Sequence, residues 1–161
     1  MPAAWPKVQQ ALVAQLRDLP AWAGVEVSDG PPVDREAPYR YCAVGTTVED
    51  DSGGAYERTN QLEGAGWAGA VRESGRVQSE LEVAAEPDPD NPDALTDLAA
   101  VRTEAFELVD AWEAALAADP TLGGVLGQLG TVELSVDVQP MQTDQGALQR
   151  LVVTVAYSTF T

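Results

Sequence analysis

Residues 132–138 read Val-Glu-Leu-Ser-Val-Asp-Val, a strict alternation of apolar and polar side chains. Successive side chains of a β-strand point to opposite faces of a sheet, so this period of two predicts a strand with one buried face and one polar face. The segment Leu151 to Phe160 predicts a more apolar strand, which suits a central position in the sheet. We expect residues 140–147 to join the two strands as a hairpin-like turn.

Two stretches upstream carry apolar residues at helical spacing. Residues 4–20 and 93–118 each repeat an apolar side chain every three or four positions, which predicts two amphipathic helices. Pro20 and Asp119-Pro120 end these patterns. The two stripes expected to face the core are Val8, Leu12, Leu16 and Leu19 in the first helix, and Leu98, Val101, Ala105, Leu108, Trp112 and Leu116 in the second.

Four further segments have strand character. They are Gly24 to Ser28, Tyr39 to Thr47, the glycine-rich and therefore weaker Gln61 to Ala70, and Arg76 to Ala84. The predicted order is α-β-β-β-β-α-β-β. This order gives an α+β class, with a mostly antiparallel sheet packed against two helices. We expect a single domain over residues 1–161, with a flexible loop near 48–60 and an acidic connector near 86–93. The polar face of several strands should stay open to water or to a partner.

Composition excludes several classes of function. The chain has 161 residues, with 26 acidic and nine basic residues, one cysteine and no histidine. Histidine-dependent triads and histidine-ligated metals are therefore impossible. Cys42 alone forms no internal disulfide or cysteine-rich zinc site, and we interpret it as a small buried residue. The formal charge of −17 argues against nonspecific binding of DNA or RNA. No run approaches 18 apolar residues, so we predict no transmembrane helix and no membrane partner.

Three patterns resemble ligand or catalytic motifs, and each has a simpler interpretation. Gly64 to Gly69 fits G-x-G-x-x-G, with Glu86 near the expected acidic position, but no helix pattern follows, which favours a glycine-rich strand or bulge. Asp88, Asp90, Asn91, Asp93 and Asp97 lack calcium-loop spacing and suit a solvated linker. The pairs Glu104 with Glu107 and Asp110 with Glu113 suit an exposed acidic helix face. We therefore predict no cofactor, no metal and no catalytic residues.

A family resemblance rests on segments spread in order along most of the chain. The amphipathic first helix runs into residues 19–33, Leu-Pro-Ala-Trp-Ala-Gly-Val-Glu-Val-Ser-Asp-Gly-Pro-Pro-Val. Residues 41–45, Tyr-Cys-Ala-Val-Gly, and the strand from Val77 to Val83 follow. The second helix closes on residues 114–124, Ala-Ala-Leu-Ala-Ala-Asp-Pro-Thr-Leu-Gly-Gly. In these features the chain resembles the tail terminator, or tail completion, proteins of long-tailed bacteriophages, particularly those infecting actinobacteria.

The resemblance implies a structural protein of the virion rather than an enzyme. Members of this family form a hexameric ring on the end of the tail tube, stop its polymerisation and join the tail to the neck. The implied partners are further copies of the chain, the tail tube protein and the neck or head-tail connector proteins. DNA is implied only as passing cargo. The implied location is the tail-neck junction of the virion, after assembly in the host cytoplasm.

Candidate surface residues follow from these considerations. We predict assembly contacts at Trp22, Asp29, Gly30, Pro31, Pro32 and Trp67. A ring that lets DNA pass benefits from a lumen that repels phosphates. We predict that Glu49, Asp50 and Asp51, or the acidic connector after Glu86, face this lumen.

Three alternatives remain open at this stage. The chain could be another ring subunit of the neck or head-tail adaptor. It could instead be a monomeric or dimeric acidic protein that mimics DNA and binds basic partners with steep salt dependence. An enzyme is the least favoured alternative, because the sequence offers no nucleophile-base pair and no metal-binding set.

Overall fold

The computed structural model describes residues 3–31, 39–46, 54–60, 71–86, 90, 98–143 and 146–160. The elements, in chain order, are helix α1 (Trp5–Asp18), a 3-10 turn (Pro20–Trp22), strands β1 (Glu26–Asp29), β2 (Arg40–Val44), β3 (Gly54–Asn60) and β4 (Val71–Ala84), helix α2 (Leu98–Ala118), and strands β5 (Thr131–Thr143) and β6 (Gly146–Phe160). The predicted α+β class and the predicted order of helices and strands are confirmed.

The six strands form one mixed sheet in the order β1-β2-β4-β6-β5, with β3 also paired with β4. Most pairs are antiparallel, as predicted, but β1 and β2 run parallel, with Val27 opposite Cys42. The long strand β4 pairs with β6 on one side. On its other side it pairs first with β3 and then with β2. Among the described strands, β5 pairs only with β6, so it forms an edge of the sheet.

Two loop predictions need correction. Residues 54–60, predicted as part of a flexible loop, form β3, because they pair with β4 from Gly54 opposite Val77 to Asn60 opposite Val71. The predicted turn over 140–147 is mostly strand, since β5 and β6 stay paired as far as Thr143 and Gly146. Proline is tolerated in an edge strand, so Pro140 does not end β5. The weak strand predicted from Gln61 to Ala70 lies outside the described residues.

Both helices pack on one face of the sheet and share a single core with it. In the predicted stripe of α1, Val8, Leu12 and Leu16 are fully buried, whereas Leu19 follows the end of the helix and is half-buried. The stripe of α2 is buried from Val101 to Leu116. Each such side chain contributes roughly 1.5–3 kcal/mol of transfer free energy on burial. The sheet supplies Val77, Leu81, Val83, Leu151, Val153 and Val155 to this core. No helix among the described residues has both the length and the apolar character that crossing a membrane demands.

Each helix has one terminus that a carboxylate organises. The residue that precedes α1 is Ala4, whose side chain has no group that could cap the helix N-terminus. The buried Glu73 of β4 caps this terminus instead. Glu73 Oε1 accepts hydrogen bonds from the backbone N–H groups of Ala4 and Trp5 at 2.6 and 3.1 Å. After α2, the Asp119 carboxylate accepts hydrogen bonds from the backbone N–H groups of Thr121 and Gly123 and so shapes the following turn.

Candidate functional site

The sheet has a second face, which we define as the face turned away from both helices. It carries the residues that alternate with the core positions, because neighbouring side chains in a strand point in opposite directions. Paired residues lie side by side on one face, so Glu82, Arg150 and Gln139 form one row across β4, β6 and β5. The second face divides into a buried part on β2 and β4 and an exposed part on β5 and the first half of β4.

The buried part of the second face contains a compact group of ionisable side chains. Glu80 and Glu82 are only 2% and 8% exposed. The Tyr41 hydroxyl donates to Glu80 Oε1 at 3.0 Å, and Arg150 Nε donates to Glu82 Oε1 at 2.7 Å. The Arg150 guanidinium also lies 3.7 Å from Glu80. The expectation that the polar face of β4 is open to water is therefore wrong for these two glutamates.

The burial and the hydrogen bonds of this group shift the pKa of two of its members. Burial raises the pKa of Tyr41, and the nearby charges of Glu82 and Glu80 raise it further, so the hydroxyl keeps the proton that it donates. Burial alone would lower the pKa of Arg150, but its hydrogen bond to Glu82 and the two carboxylate charges outweigh burial and raise it. A stably charged Arg150 joins the central strand β6 to β4, and Tyr41 joins β2 to β4.

A second ion network connects the sheet to α2. The Arg40 guanidinium binds both carboxylate oxygens of Glu104 and lies 2.8 Å from Glu86 Oε1. The hydrogen bonds to Glu104 and Glu86 raise the pKa of Arg40. Glu104 therefore serves as an ion-pair partner and not as half of a carboxylate pair with the exposed Glu107. Glu86, the acidic residue weighed for a dinucleotide site, likewise has a structural partner.

The exposed part of the second face carries charges that sequence reasoning did not single out. Arg72 and Arg76 lie on β4, and Glu133 and Asp137 lie on β5; all four side chains are exposed. Within the described part of the chain, none of the four forms an ion pair. Arg72 stacks on the exposed ring of Phe160, with 5.8 Å between the guanidinium carbon and the ring centroid. The sequence does contain a pattern that could have identified these residues. The two arginines are four residues apart on one strand, and the two acidic residues are four apart on another, so each pair shares one face of the sheet.

A shallow groove lies on the opposite side of β5, between that strand and the C-terminal half of α2. Its volume is about 420 Å³. The lining residues are Glu113, Leu116, Ala117, Pro120, Val132, Glu133 and Leu134. The lining combines apolar side chains with the carboxylates of Glu113 and Glu133. None of these described lining residues could act as a nucleophile paired with a base.

The predicted assembly residues have different positions. Trp22 lies in the core, 3% exposed, because the 3-10 turn directs its ring under α2. There it packs edge to face on Trp112, with 5.7 Å between ring centroids, so it is not a surface contact. Asp29 and Pro31 are exposed, and Gly30 between them has a φ of 81°. Gly30 N–H donates to the Val44 carbonyl at 2.8 Å, which fixes this turn beside β2.

Several predicted residues lie outside the described part of the chain. These are Pro32, Trp67, the lumen candidates Glu49, Asp50 and Asp51, the glycine motif at 64–69, and Asp88, Asn91, Asp93 and Asp97 of the acidic connector. Among the described residues, no group of three histidine, cysteine, aspartate or glutamate side chains could hold a metal ion. Cys42 is fully buried, as predicted, and burial raises the pKa of its thiol.

Comparison of the sequence with models of known protein families gives no match, and comparison with curated proteins gives none either.

Proposed function

We propose that this chain is a structural subunit that forms a ring on the end of a phage tail tube, stops its polymerisation and joins the tail to the neck. The observation that carries the proposal is the 13-residue strand β5, which pairs only with β6 among the described strands and lies beside an exposed, charged sheet face. A long edge strand of this kind is a surface on which another chain can add. Such a surface suits assembly rather than catalysis.

The turns that carry the sequence resemblance support the proposal. Asp29 ends β1 and the chain bends at Gly30, and Asp119 organises the turn after α2. Leu122 in that second turn is buried with a φ of 53°, a backbone conformation that few residues adopt. The segments that carry the resemblance therefore include residues that shape two bends of the fold.

The charge of the subunit agrees with a conduit for DNA. A formal charge of −17 produces a field that repels phosphates, so DNA would pass without adhering to the ring. The partners in this proposal are further copies of the chain, the tail tube protein and the neck proteins, at the tail-neck junction of the virion. A neck or adaptor ring has similar physical requirements, and the position of the ring in the particle separates the two functions.

The test is the molar mass of the purified chain, measured by light scattering with and without tail tubes, together with electron microscopy of the tube ends. Ring-sized particles that cap one end of each tube and limit tube length support the proposal. Rings that bind neck components but ignore tubes favour the adaptor function. A monomer that ignores tubes but binds basic proteins at low salt would overturn the ring proposal and favour an acidic DNA mimic.

A further inference from the structure

The second face of the sheet separates opposite charges along its width. Arg76 on β4 lies in the same row as Glu133 on β5, with Ala156 of the central strand between them. Strands are about 4.8 Å apart, so the two charged residues stand on backbones about 10 Å apart. The arginines therefore lie toward the β3 side of the sheet, and the acidic residues lie on the β5 edge.

The two charge pairs have the same spacing. Arg72 and Arg76 are four residues apart on β4, and Glu133 and Asp137 are four residues apart on β5. At about 3.3 Å per residue, each pair spans roughly 13 Å along its strand. Two surfaces with matched spacing and opposite sign form two ion pairs at once when they meet, which also fixes their register.

Among the described side chains, Arg72 and Arg76 have no acidic partner, and the same holds for Arg17 and Arg102. Arg40 and Arg150 are both used in internal ion pairs, and Arg17 donates to the Val27 carbonyl. Arg72 and Arg76 are left exposed on a sheet face that faces away from the core. The acidic surface that complements them in sign and spacing is present on every other copy of this chain.

One exposed apolar side chain lies on the same face as these charges. Phe160, in the same row as Arg72, is 44% exposed, and Leu129, just before β5, is 73% exposed. Large apolar side chains at a sheet edge gain from being covered, and charged residues around them give the contact its orientation.

We propose that Arg72 and Arg76 of one copy bind Glu133 and Asp137 of a second copy, and that the second copy's arginines bind the acidic residues of the first. This inference goes beyond the proposed ring function, because it names a contact that joins two copies face to face. Both charge pairs lie on one sheet face with their strands about 10 Å apart, so one partner covers both of them and the contact is reciprocal. The ion pairs also reduce the repulsion between subunits that each carry a charge of −17.

Paired charge reversals test this contact by sedimentation velocity at low salt. Arg72→Glu/Arg76→Glu leaves both surfaces acidic, and Glu133→Arg/Asp137→Arg leaves both basic. Each double variant alone should associate about 100-fold or more weakly than the wild type, because like charges face each other. A one-to-one mixture of the two double variants should restore association as mixed pairs, and the quadruple variant should restore it alone.

Matched controls come from exposed residues elsewhere on the molecule. Lys7→Glu/Arg102→Glu and Glu107→Arg/Asp110→Arg make the same charge changes at exposed positions on the two helices. These variants should associate as the wild type does. Thermal unfolding followed by circular dichroism verifies that every variant is folded.

The outcomes separate this contact from the wider proposal. Rings that cap tubes but assemble normally after either reversal would overturn the contact and leave the ring function standing. In a second outcome, the wild-type copies associate, the reversals weaken this association, the mixture restores it, and tubes are never capped. This outcome would support the contact and overturn the terminator function. A wild-type chain that stays monomeric both free and on tubes would overturn both.

Discussion

Glu73 shows how one side chain supports an element that is distant in sequence. It extends from β4 into the core face of the sheet and accepts two backbone N–H groups at the start of α1. Those N–H groups have no partner within the helix, and the helix dipole favours a negative charge beside them. The Tyr157 hydroxyl lies 3.4 Å from the same carboxylate oxygen. A buried charge is thus tolerated because three donors surround it.

Glu73→Gln keeps the shape of the side chain and removes its charge. We expect the free energy of unfolding to fall by about 1–2 kcal/mol, because the hydrogen bonds to the helix N-terminus lose their charge-assisted character. Urea unfolding followed by circular dichroism measures the change. Glu107→Gln removes the same charge from an exposed position on α2 and should leave stability nearly unchanged. An equal loss in both variants would contradict the capping role.

The lowered pKa of Asp119 predicts that the stability of the fold depends on pH in the acidic range. The Thr121 hydroxyl is the largest cause of its lowered pKa, and the Gly123 backbone N–H is the next. The folded pKa lies below the unfolded one. The stabilisation that Asp119 provides is therefore complete above the unfolded value and is lost as the pH falls through the folded value.

Carbon-13 NMR titration of Asp119 measures this directly. We expect a midpoint below the ordinary aspartate value of about 3.9, and Thr121→Val should move it upward. An unshifted midpoint in the wild type would show that the turn does not depend on this carboxylate.

At the scale of elements, the two buried tryptophans provide a matched comparison. Trp22 Nε1–H donates to the Leu108 carbonyl at 3.0 Å, whereas the Trp112 Nε1–H has no hydrogen-bond partner within the described part of the chain. Both rings belong to one edge-to-face pair between the 3-10 turn and α2.

Phenylalanine substitution removes the same atoms at both positions. Trp22→Phe should lower the free energy of unfolding by about 1 kcal/mol more than Trp112→Phe, because only the first loses a hydrogen bond. Guanidinium unfolding of both single variants and the double variant measures the difference and the coupling between the rings. A larger loss in Trp112→Phe would show that packing outweighs the hydrogen bond at this site.

The elements predicted well from the sequence are those whose signal is local. The stripes of α1 and α2 and the alternation in β5 repeat within one segment, so the pattern alone identifies helix or strand. β3 and the parallel pairing of β1 with β2 depend on partners elsewhere in the chain. A segment such as 54–60, which looks like a polar loop, becomes a strand because β4 extends far enough to pair with it.

The candidate site was less predictable for the same reason. Glu80 appears in the sequence as a polar strand residue, and its burial depends on Tyr41 and Arg150, which are far away along the chain. Trp22, near an element end, was expected at the surface, and the 3-10 turn places it in the core instead. The matched spacing of Arg72 and Arg76 with Glu133 and Asp137 acquires meaning only once the register puts all four on one face.

At the scale of the whole molecule, salt should act in two opposite directions. Added NaCl screens the repulsion among 26 acidic residues within one subunit, and it also screens the attraction between subunits. The screening length falls from about 30 Å at 0.01 M to about 8 Å at 0.15 M salt. We expect the unfolding temperature to rise over this range while association weakens.

Differential scanning calorimetry on Arg72→Glu/Arg76→Glu measures the first effect without interference from assembly. Sedimentation of the wild type over the same salt series measures the second. If added salt raised both the unfolding temperature and the strength of association, or lowered both, the two opposite effects of screening would be contradicted.

The position of β6 in the sheet has a consequence for synthesis on the ribosome. β6 is the last described strand in chain order, yet it lies between β4 and β5 and supplies Leu151, Val153 and Val155 to the core. A nascent chain that lacks it has neither a joined sheet nor a fixed edge strand. We therefore expect folding to wait until residues 146–160 have left the exit tunnel. A prematurely terminated chain would then lack a positioned β5, so in the proposed ring the order of the strands would itself exclude incomplete subunits from assembly.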